Sequence, residues 1–392
     1  MSESAQLSRA PAQTTRRCFP EKIWTATAGL FVVTIMPAAT LVSNYGTLPD
    51  GRAVTCYTLT NPHGLRVTVL DYGAMLATVE TPDRNGKLAN VTLGFDDLAG
   101  WLHNSSYFGA TVGRFANRIA NGKFILAGKT YTLATNNTPN GIACSLHGGA
   151  AGFDQKMWTG RVVERPDACG IELSCVSPDG EEGYPGELTV KLTYWLTEKD
   201  ELVMDFEATT DQLTVVNLTN HTYWNLTGNP TKAILGHEIM LAADEMLPVN
   251  AGLIPTGERR KVANTPFDFR QSRRVGDRIG DPDEQLELGN GYDHCWVLHP
   301  TTGLRLAARL HEPESGRVVE LMSDQPGVQF YSGNFLDGTT KGKGGATYPF
   351  RTGLALEPQR FPDSPNQSTF PPPTLKPGEV YRQTILYRFS TQ

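Results

Sequence analysis

From about residue 50 the chain alternates apolar and polar residues with a period of two. "ELTVKLTYWL" is the cleanest stretch: Leu188, Val190, Leu192, Tyr194 and Leu196 share one parity, with mostly polar residues between them. "ELVMDFEATTD" follows, with Leu202, Met204 and Phe206 on one side and Val203, Asp205 and Glu207 on the other. "LRVTVLDYG" alternates from Leu65, and "VYRQTILYRF" is the last strand. Successive side chains of a strand point to opposite faces, so this period predicts strands and not helices. Turn-forming clusters such as "NPHG", "DRNGK", "SPDG" and "TEKDE" separate the runs, and "GKFILAGKTYTL" reads as a hairpin. "DDLAGWLHN" offers one short helical turn, and no long amphipathic helix is present. "FPDSPNQSTFPPPTLKPGE" is Pro-rich but contains Phe361 and Phe370, and we read it as an ordered loop packed on the surface. Many short strands with almost no helix predict an all-β fold, a large antiparallel β-sandwich.

The N-terminus breaks this rhythm. Arg9, Arg16, Arg17 and Lys22 precede an uncharged stretch from Ile23 to Pro49, whose apolar part is "IWTATAGLFVVTIMPAATLV". A basic flank, an apolar segment and then the small residues Ala38 and Ala39 after Pro37 is the layout of an export signal. "TRRCFPEK" places Arg16-Arg17 and Phe19 in the order of a twin-arginine signal, so we expect an exported, periplasmic protein. The alternative is a membrane anchor, since the stretch is nearly long enough to span. Either way the globular part faces outward, and only this segment would touch a membrane. Residues 1–45 are therefore set outside the fold. No linker interrupts residues 46–392, which are expected to form a single domain.

Composition narrows the function. The chain of 392 residues is 39% hydrophobic and 19% charged, ordinary values for a globular protein, and carries a net charge of −6. Lys and Arg are scattered, with no basic run longer than Arg259-Arg260-Lys261 in the globular part, which argues against nucleic acid as a partner. Six Cys stand at 18, 56, 144, 169, 175 and 295. Removing a leader that holds Cys18 leaves an odd number, and no CxxC or Cys/His cluster appears, so we expect small buried hydrophobes and neither a zinc site nor a disulfide framework.

Candidate chemistry begins at "NLTNHTYWNL", residues 217–226. Read as a strand continuing from Val215 and Val216, one parity is apolar: Val216, Leu218, Trp224 and Leu226. The other holds Asn217, Thr219, His221, Tyr223 and Asn225, a polar face with aromatics that suits sugar hydroxyls. In "TGLALEPQRFPDS" Glu357 and Gln359 share a parity, and Pro358 cannot sit mid-sheet, which places Glu357 at a strand end or edge. "GVQFYSGNF" sets Gln329 and Tyr331 against Val328 and Phe330, and "GYDHCWVL" puts Asp293 at the start of an apolar strand. "SLHGG" places His147 before two glycines, a turn that permits close backbone approach to a ligand, and "GRFANRIANG" offers Arg114, Asn117 and Arg118. Each motif alone is weak, since a lone His or Glu at a strand end is more often structural.

Together, and in this order, "GRFANRIANGKF", "LHGG", "NHTYWNL", "DHCWVL", "QFYSGNF", "LEPQRFPDS" and the closing "FPPPTLKPGEVYRQTILYRF" resemble the aldose 1-epimerases, or galactose mutarotases, from about residue 50 to the C-terminus. The sequence departs at Trp224, where the family mostly has Phe, and at Pro358 and Arg360 beside the acid; no polar group that the chemistry needs is lost. The leader departs from the family's usual cytoplasmic setting. The resemblance implies one large twisted antiparallel β-sandwich. It implies His221 as general acid and Glu357 as general base, with His147 and Asp293 binding and orienting the sugar. It assigns Asn117 and Arg118 to hydroxyl contacts, and Gln329 and Tyr223 to the lining of the same pocket.

The implied reaction suits those residue types. Interconverting α and β anomers of a free hexose such as glucose or galactose means opening the hemiacetal, rotating about C1–C2 and closing on the other face. The C1 hydroxyl must lose a proton and the ring oxygen must gain one. A carboxylate and an imidazolium are a natural pair near neutral pH, and a negative neighbour is expected to raise the imidazole and keep it protonated. Nothing is oxidised, so no nicotinamide is called for, and no metal-ligand or phosphate-cradling motif is present. The substrate expected is a small aldose, with no cofactor and no metal. The rivals are a glycoside hydrolase, which would pair Glu357 with a second carboxylate such as Asp293, and a carbohydrate-binding module without an acid–base pair. A phosphosugar epimerase would want a cationic pocket. The partner of Glu357 is the discriminator.

Overall fold

The computed structural model describes residues 38–392, and the Arg16-Arg17 signal with the apolar stretch that follows it to residue 37 lies outside the described residues. Three antiparallel sheets organise the rest. The first is a five-stranded meander running from Ala39–Thr47 through Ala53–Thr60, Arg66–Leu70 and Met75–Pro82 to Leu88–Asn90. The second has nine strands, with the C-terminal strand Tyr381–Thr391 between Glu201–Thr210 and Arg317–Ser323. The third has six strands, ordered Tyr223–Trp224, Leu354–Gln359, Gly327–Tyr331, Asp293–Val297, Glu245–Leu247 and Arg260–Lys261.

The period-two reading holds where it is strongest. Leu188, Val190, Leu192, Tyr194 and Leu196 on Leu188–Thr197 are all fully buried. Each such side chain contributes roughly 1.5–3 kcal/mol on burial, and a one-residue slip would turn all of them outward, so the register is firmly set. One core cluster takes Val67 and Val69 from the first sheet, Leu192 and Phe206 from the second, and Trp296, Phe330 and Leu356 from the third. The sheets are therefore packed as the layers of a β-sandwich. The expected hairpin is Lys123–Leu126 paired with Lys129–Thr132, and the expected helical turn is Leu98–Leu102, capped by Asp97. A second short helix, Glu284–Gly289, carried no signal in the pattern. The Pro-rich loop is ordered: Phe361 and Phe370 are buried in edge-to-face contact.

The domain boundary needs correction. Ala39–Thr47 lies inside the segment set outside the fold, yet it pairs along its length with Ala53–Thr60. Leu41 and Val42 looked like the tail of an apolar leader; they are exposed residues of an edge strand, held by backbone hydrogen bonds to its neighbour. The fold thus begins by Ala39. No helix among the described residues is long and apolar enough to cross a membrane. Cys56, Cys144, Cys169, Cys175 and Cys295 are buried and unbridged.

Candidate active site

Glu357 stands on Leu354–Gln359, next to the edge of the six-stranded sheet and opposite Gln329 in register. Of the two placements expected from Pro358, a strand end or an edge, it takes the edge: at Glu357 and Pro358 the strand is paired on one side only. The proline sits within the strand because the side of it that lacks an N–H faces no ladder. Tyr223–Trp224 pairs only with Leu354 and Ala355 and has ended before Pro358. The Pro358 carbonyl, pointing the same way, accepts instead from Thr219 Oγ1 at 2.9 Å and Gln383 Nε2 at 3.0 Å.

His221 arrives by a broken path. The expected continuous strand is three short pairings: Thr214–Val215 with Thr374–Leu375, Thr219–His221 with Ala110–Val112, and Tyr223–Trp224 with the Glu357 strand. Asn217 and Asn225, expected on a sugar-facing surface, and Asn220 between them hold these crossings together. Asn217 bonds to Ala116 O and Arg360 N, Asn220 to Gly109 O, and Asn225 to Lys232 O and Thr352 O. Of that parity only His221 and Tyr223 reach the cavity, their rings stacked 5.0 Å apart.

His147 and Asn117 form a second wall. Both adopt the left-handed backbone region, with φ of 52° and 65°. The Asn117 N–H donates to His147 Nδ1 at 3.2 Å, which fixes the neutral tautomer with its proton on Nε2. Gly148 belongs to this turn for a reason other than ligand approach: a Cβ there would lie 1.9 Å from the Gly113 carbonyl oxygen. Arg118 Nη1 lies 3.6 Å from Asp293 Oδ2, and Gln329 Nε2 donates to Asp293 Oδ1 at 2.7 Å. Gln329 therefore does not line the cavity as expected; it lies behind Asp293 and orients it. Arg114 is no part of the site either. Its guanidinium is buried against the carbonyls of Ser177, Pro185 and Gly186.

Asn117, Arg118, His147, His221, Tyr223, Asp293 and Glu357 thus converge from five separated stretches of the chain on one cavity of about 620 Å³. Tyr107 is a member that the pattern did not reveal. Its φ is 59°, strained for a bulky residue, and its ring lies 4.7 Å from that of His147 and 6.1 Å from that of His221. Phe335, also missed, stacks on Tyr331 at the rim.

At the centre His221 Nε2 lies 3.6 Å from Glu357 Oε1. Both side chains are buried, and His221 Nδ1 and Glu357 Oε2 have no hydrogen-bond partner. A buried polar atom left unpaired costs about 1–3 kcal/mol, so these atoms await partners such as sugar hydroxyls. Burial, then the charge of Asp293, pushes the Glu357 carboxyl well up, against the pull of Arg118. Burial lowers the His221 imidazole to about 4, a backbone hydrogen bond opposing the shift and the Arg118 charge adding to it. The expectation of an imidazole held protonated is thus corrected: burial favours a neutral acid beside a neutral imidazole. This is the ion pair with its proton moved across, so the couple holds one proton in either form. His147 is also lowered, first by burial and then by the His221 and Arg118 charges.

His147, His221 and Glu357 present ligand atoms within 4.8 Å of one another, close enough to surround a metal ion. His147 is ill suited to join them: its Nδ1 lone pair is taken by the Asn117 N–H, and its Nε2 carries a proton. The arrangement also separates the rival readings. The partner of Glu357 is an imidazole, and Asp293 is engaged by Arg118 and Gln329. Arg118, the one Lys or Arg on the cavity wall among the described residues, is committed to Asp293, so among those residues no free cationic centre for a phosphate is built there.

Comparison with known proteins agrees with this geometry. The family model described as "Aldose 1-epimerase" matches residues 55–388. A galactose mutarotase of Bos taurus is 48% identical over 346 residues, covering 88% of this chain and 97% of that protein. An aldose 1-epimerase of Escherichia coli (strain K12) is 36% identical over 344 residues, covering 87% of this chain and 96% of that protein. Among solved structures, a GalM/aldose epimerase homologue from C. elegans superposes with a TM-score of 0.77 at 32% identity, covering 90% of this chain and 99% of that one. With the family match running through every segment that builds the cavity, the chain belongs to the aldose 1-epimerase family.

Proposed function

We propose that Glu357 and His221 carry the two proton transfers by which this aldose 1-epimerase interconverts the α and β anomers of free hexoses, galactose and glucose among them. The observation that carries the assignment is the contact of 3.6 Å between Glu357 Oε1 and His221 Nε2, with the remaining polar atoms of both groups unpaired. O1 and O5 of a pyranose are both bonded to C1, so the two protons to be moved lie one bond angle apart. An acid and a base this close together can reach both. Glu357 as carboxylate takes the O1 proton while His221 as imidazolium protonates O5, and the ring opens. That leaves a neutral acid and a neutral imidazole, the form that burial favours, so the site offsets part of the cost of the open aldehyde. Rotation about C1–C2 and the reverse transfers close the other anomer. Asn117, Arg118, His147, Tyr223 and Asp293 hold the hydroxyls, and Gln329 acts through Asp293.

The test is polarimetry of freshly dissolved α-D-galactose and α-D-glucose. The purified protein should speed the approach to equilibrium rotation over buffer alone. Saturable sugar binding without acceleration would make the protein a binding module; release of reducing sugar from glycosides would make it a hydrolase. We further propose that the protein is exported, from Arg16-Arg17 ahead of an uncharged apolar segment. Sequencing the N-terminus of the mature protein tests this, and cytoplasmic protein beginning at Met1 would refute it.

A further inference from the structure

A second cavity, of about 1020 Å³, shares no lining residue with the first. It lies where the strands that carry Asp293 and Glu357 run out, past Val297 on one and at Arg360 and Phe361 after the other. Its wall inverts the sign of the molecule. The chain as a whole is at −6, yet this wall holds five Lys and Arg side chains against three carboxylates. The acids are already engaged in part. Asp244 pairs with Arg270 and His299, and Asp324 accepts from Gln325 and the Thr384 N–H.

Arg259, Lys261, Arg305 and Arg360 have no carboxylate within ion-pair distance among the described residues, although all four face this cavity. A solvated charged face would leave such side chains free to move. Here two of the three guanidiniums, those of Arg305 and Arg360, are anchored by hydrogen bonds, and the exposed third lies against an aromatic ring. Arg259 lies over the Phe361 ring at 5.4 Å, and Arg360 lies over Tyr381 at 5.3 Å while donating to Pro372 O. Arg305 donates to Ser323 O and Gln325 O, and its buried Nε has no partner. The anchored guanidiniums of Arg305 and Arg360, with no acid on them, prepare one side of an anion site, because little of their side-chain entropy remains to be lost on binding, and the exposed Arg259 and Lys261 stand free beside them to complete it. Beside them the wall is apolar: Leu298, Pro300, Pro326, Phe361 and Pro371. A cavity of this size takes a ligand larger than a hexose.

We propose that this cavity binds a phosphorylated ring compound of nucleotide size, its phosphate held by Arg259, Lys261 and Arg360 and its ring laid on the proline surface of Pro300, Pro326 and Pro371. Isothermal titration with ADP, pyrophosphate and adenosine, on the full chain with the active site filled by galactose, tests it. ADP should bind saturably, pyrophosphate more weakly and adenosine barely. Loss of one charged hydrogen-bonding side chain should weaken ADP about tenfold or more. Arg259→Ala/Lys261→Ala should therefore bind ADP at least that much more weakly, and added salt should weaken the wild type. The double variant should keep its mutarotation rate, since neither residue touches the first cavity, and that rate also reports that it is folded. Several results would overturn the proposal: no ADP binding at concentrations on the order of millimolar, equal ADP affinity in the double variant, displacement of ADP by galactose, or adenosine binding as well as ADP.

Discussion

Replacing Glu357 by Gln separates chemistry from architecture. The two side chains have the same shape, and the amide keeps hydrogen-bonding capacity, so the packing around the strand Leu354–Gln359 should survive. What is lost is a group able to accept a proton 3.6 Å from His221 Nε2. A positioned general base contributes roughly 10²–10⁴-fold, which is about 2.7–5.5 kcal/mol of barrier. We expect kcat at saturating galactose to fall by that factor with KM little changed, because the interaction lost develops in the transition state.

Stability should move the other way. The folded carboxyl titrates well above its ordinary value of 4.5. A carboxyl with a raised folded pKa contributes stability that is complete below the unfolded value and is lost as pH rises through the folded one. Within that window the wild type loses up to about 1.4 kcal/mol per pH unit, less where His221 takes up the proton, and the amide loses none. Thermal unfolding from about pH 5 to about pH 9 should therefore show the variant gaining on the wild type as pH rises. The assay is polarimetry alongside those melts. A folded variant whose kcat stays within about threefold of wild type, under 1 kcal/mol of barrier, would show that Glu357 is not the base.

Four further outcomes follow from the same geometry. The pH profile of kcat/KM should be bell-shaped, its acid limb marking a second proton added to the couple as His221 protonates toward about 4, and its alkaline limb marking loss of the shared proton; an alkaline limb unchanged in Glu357→Gln would contradict this. Gln329→Leu removes the hydrogen bond of 2.7 Å that orients Asp293 and should raise KM tenfold or more, from a loss of about 1.5–3 kcal/mol, with a smaller effect on kcat; an unchanged KM would mean that Asp293 needs no such support. Dialysis against a strong chelator should leave the rate as it was, and activity restored by one divalent ion would overturn the acid–base reading. Replacing Arg16 and Arg17 by Lys should hold the precursor in the cytoplasm, and normal export of that variant would exclude the twin-arginine route.

The strands were legible because burial acts on parity, and parity is local. Leu188 to Leu196 declare their face within ten residues, whatever packs against it. The site was legible as a set of residue types in order, but its roles depend on which polar atoms find partners, and those partners are remote. Asn217 and His221 share a parity and a short polar stretch. Asn217 is spent on Ala116 and Arg360, 101 and 143 residues away, whereas His221 keeps one nitrogen unpaired and the other facing Glu357. Gln329 failed as a pocket residue for the same reason: its register opposite Glu357 is implied by the pattern, but its reach to Asp293 is set by a third strand. Leu41 and Val42 misled because hydropathy alone does not separate an edge strand from a leader; only the pairing with Ala53–Thr60 does. Within this cavity, satisfaction and placement together separate the asparagines of the crossings from the acid–base couple; unpaired atoms alone do not mark the site, since Trp224 Nε1 and Arg114 Nε are unpaired outside it. The residues that hold the crossings have every bond made within the protein, and the residues left with atoms unpaired in the cavity are those from which the sugar's hydroxyls, and its proton transfers, are to be expected.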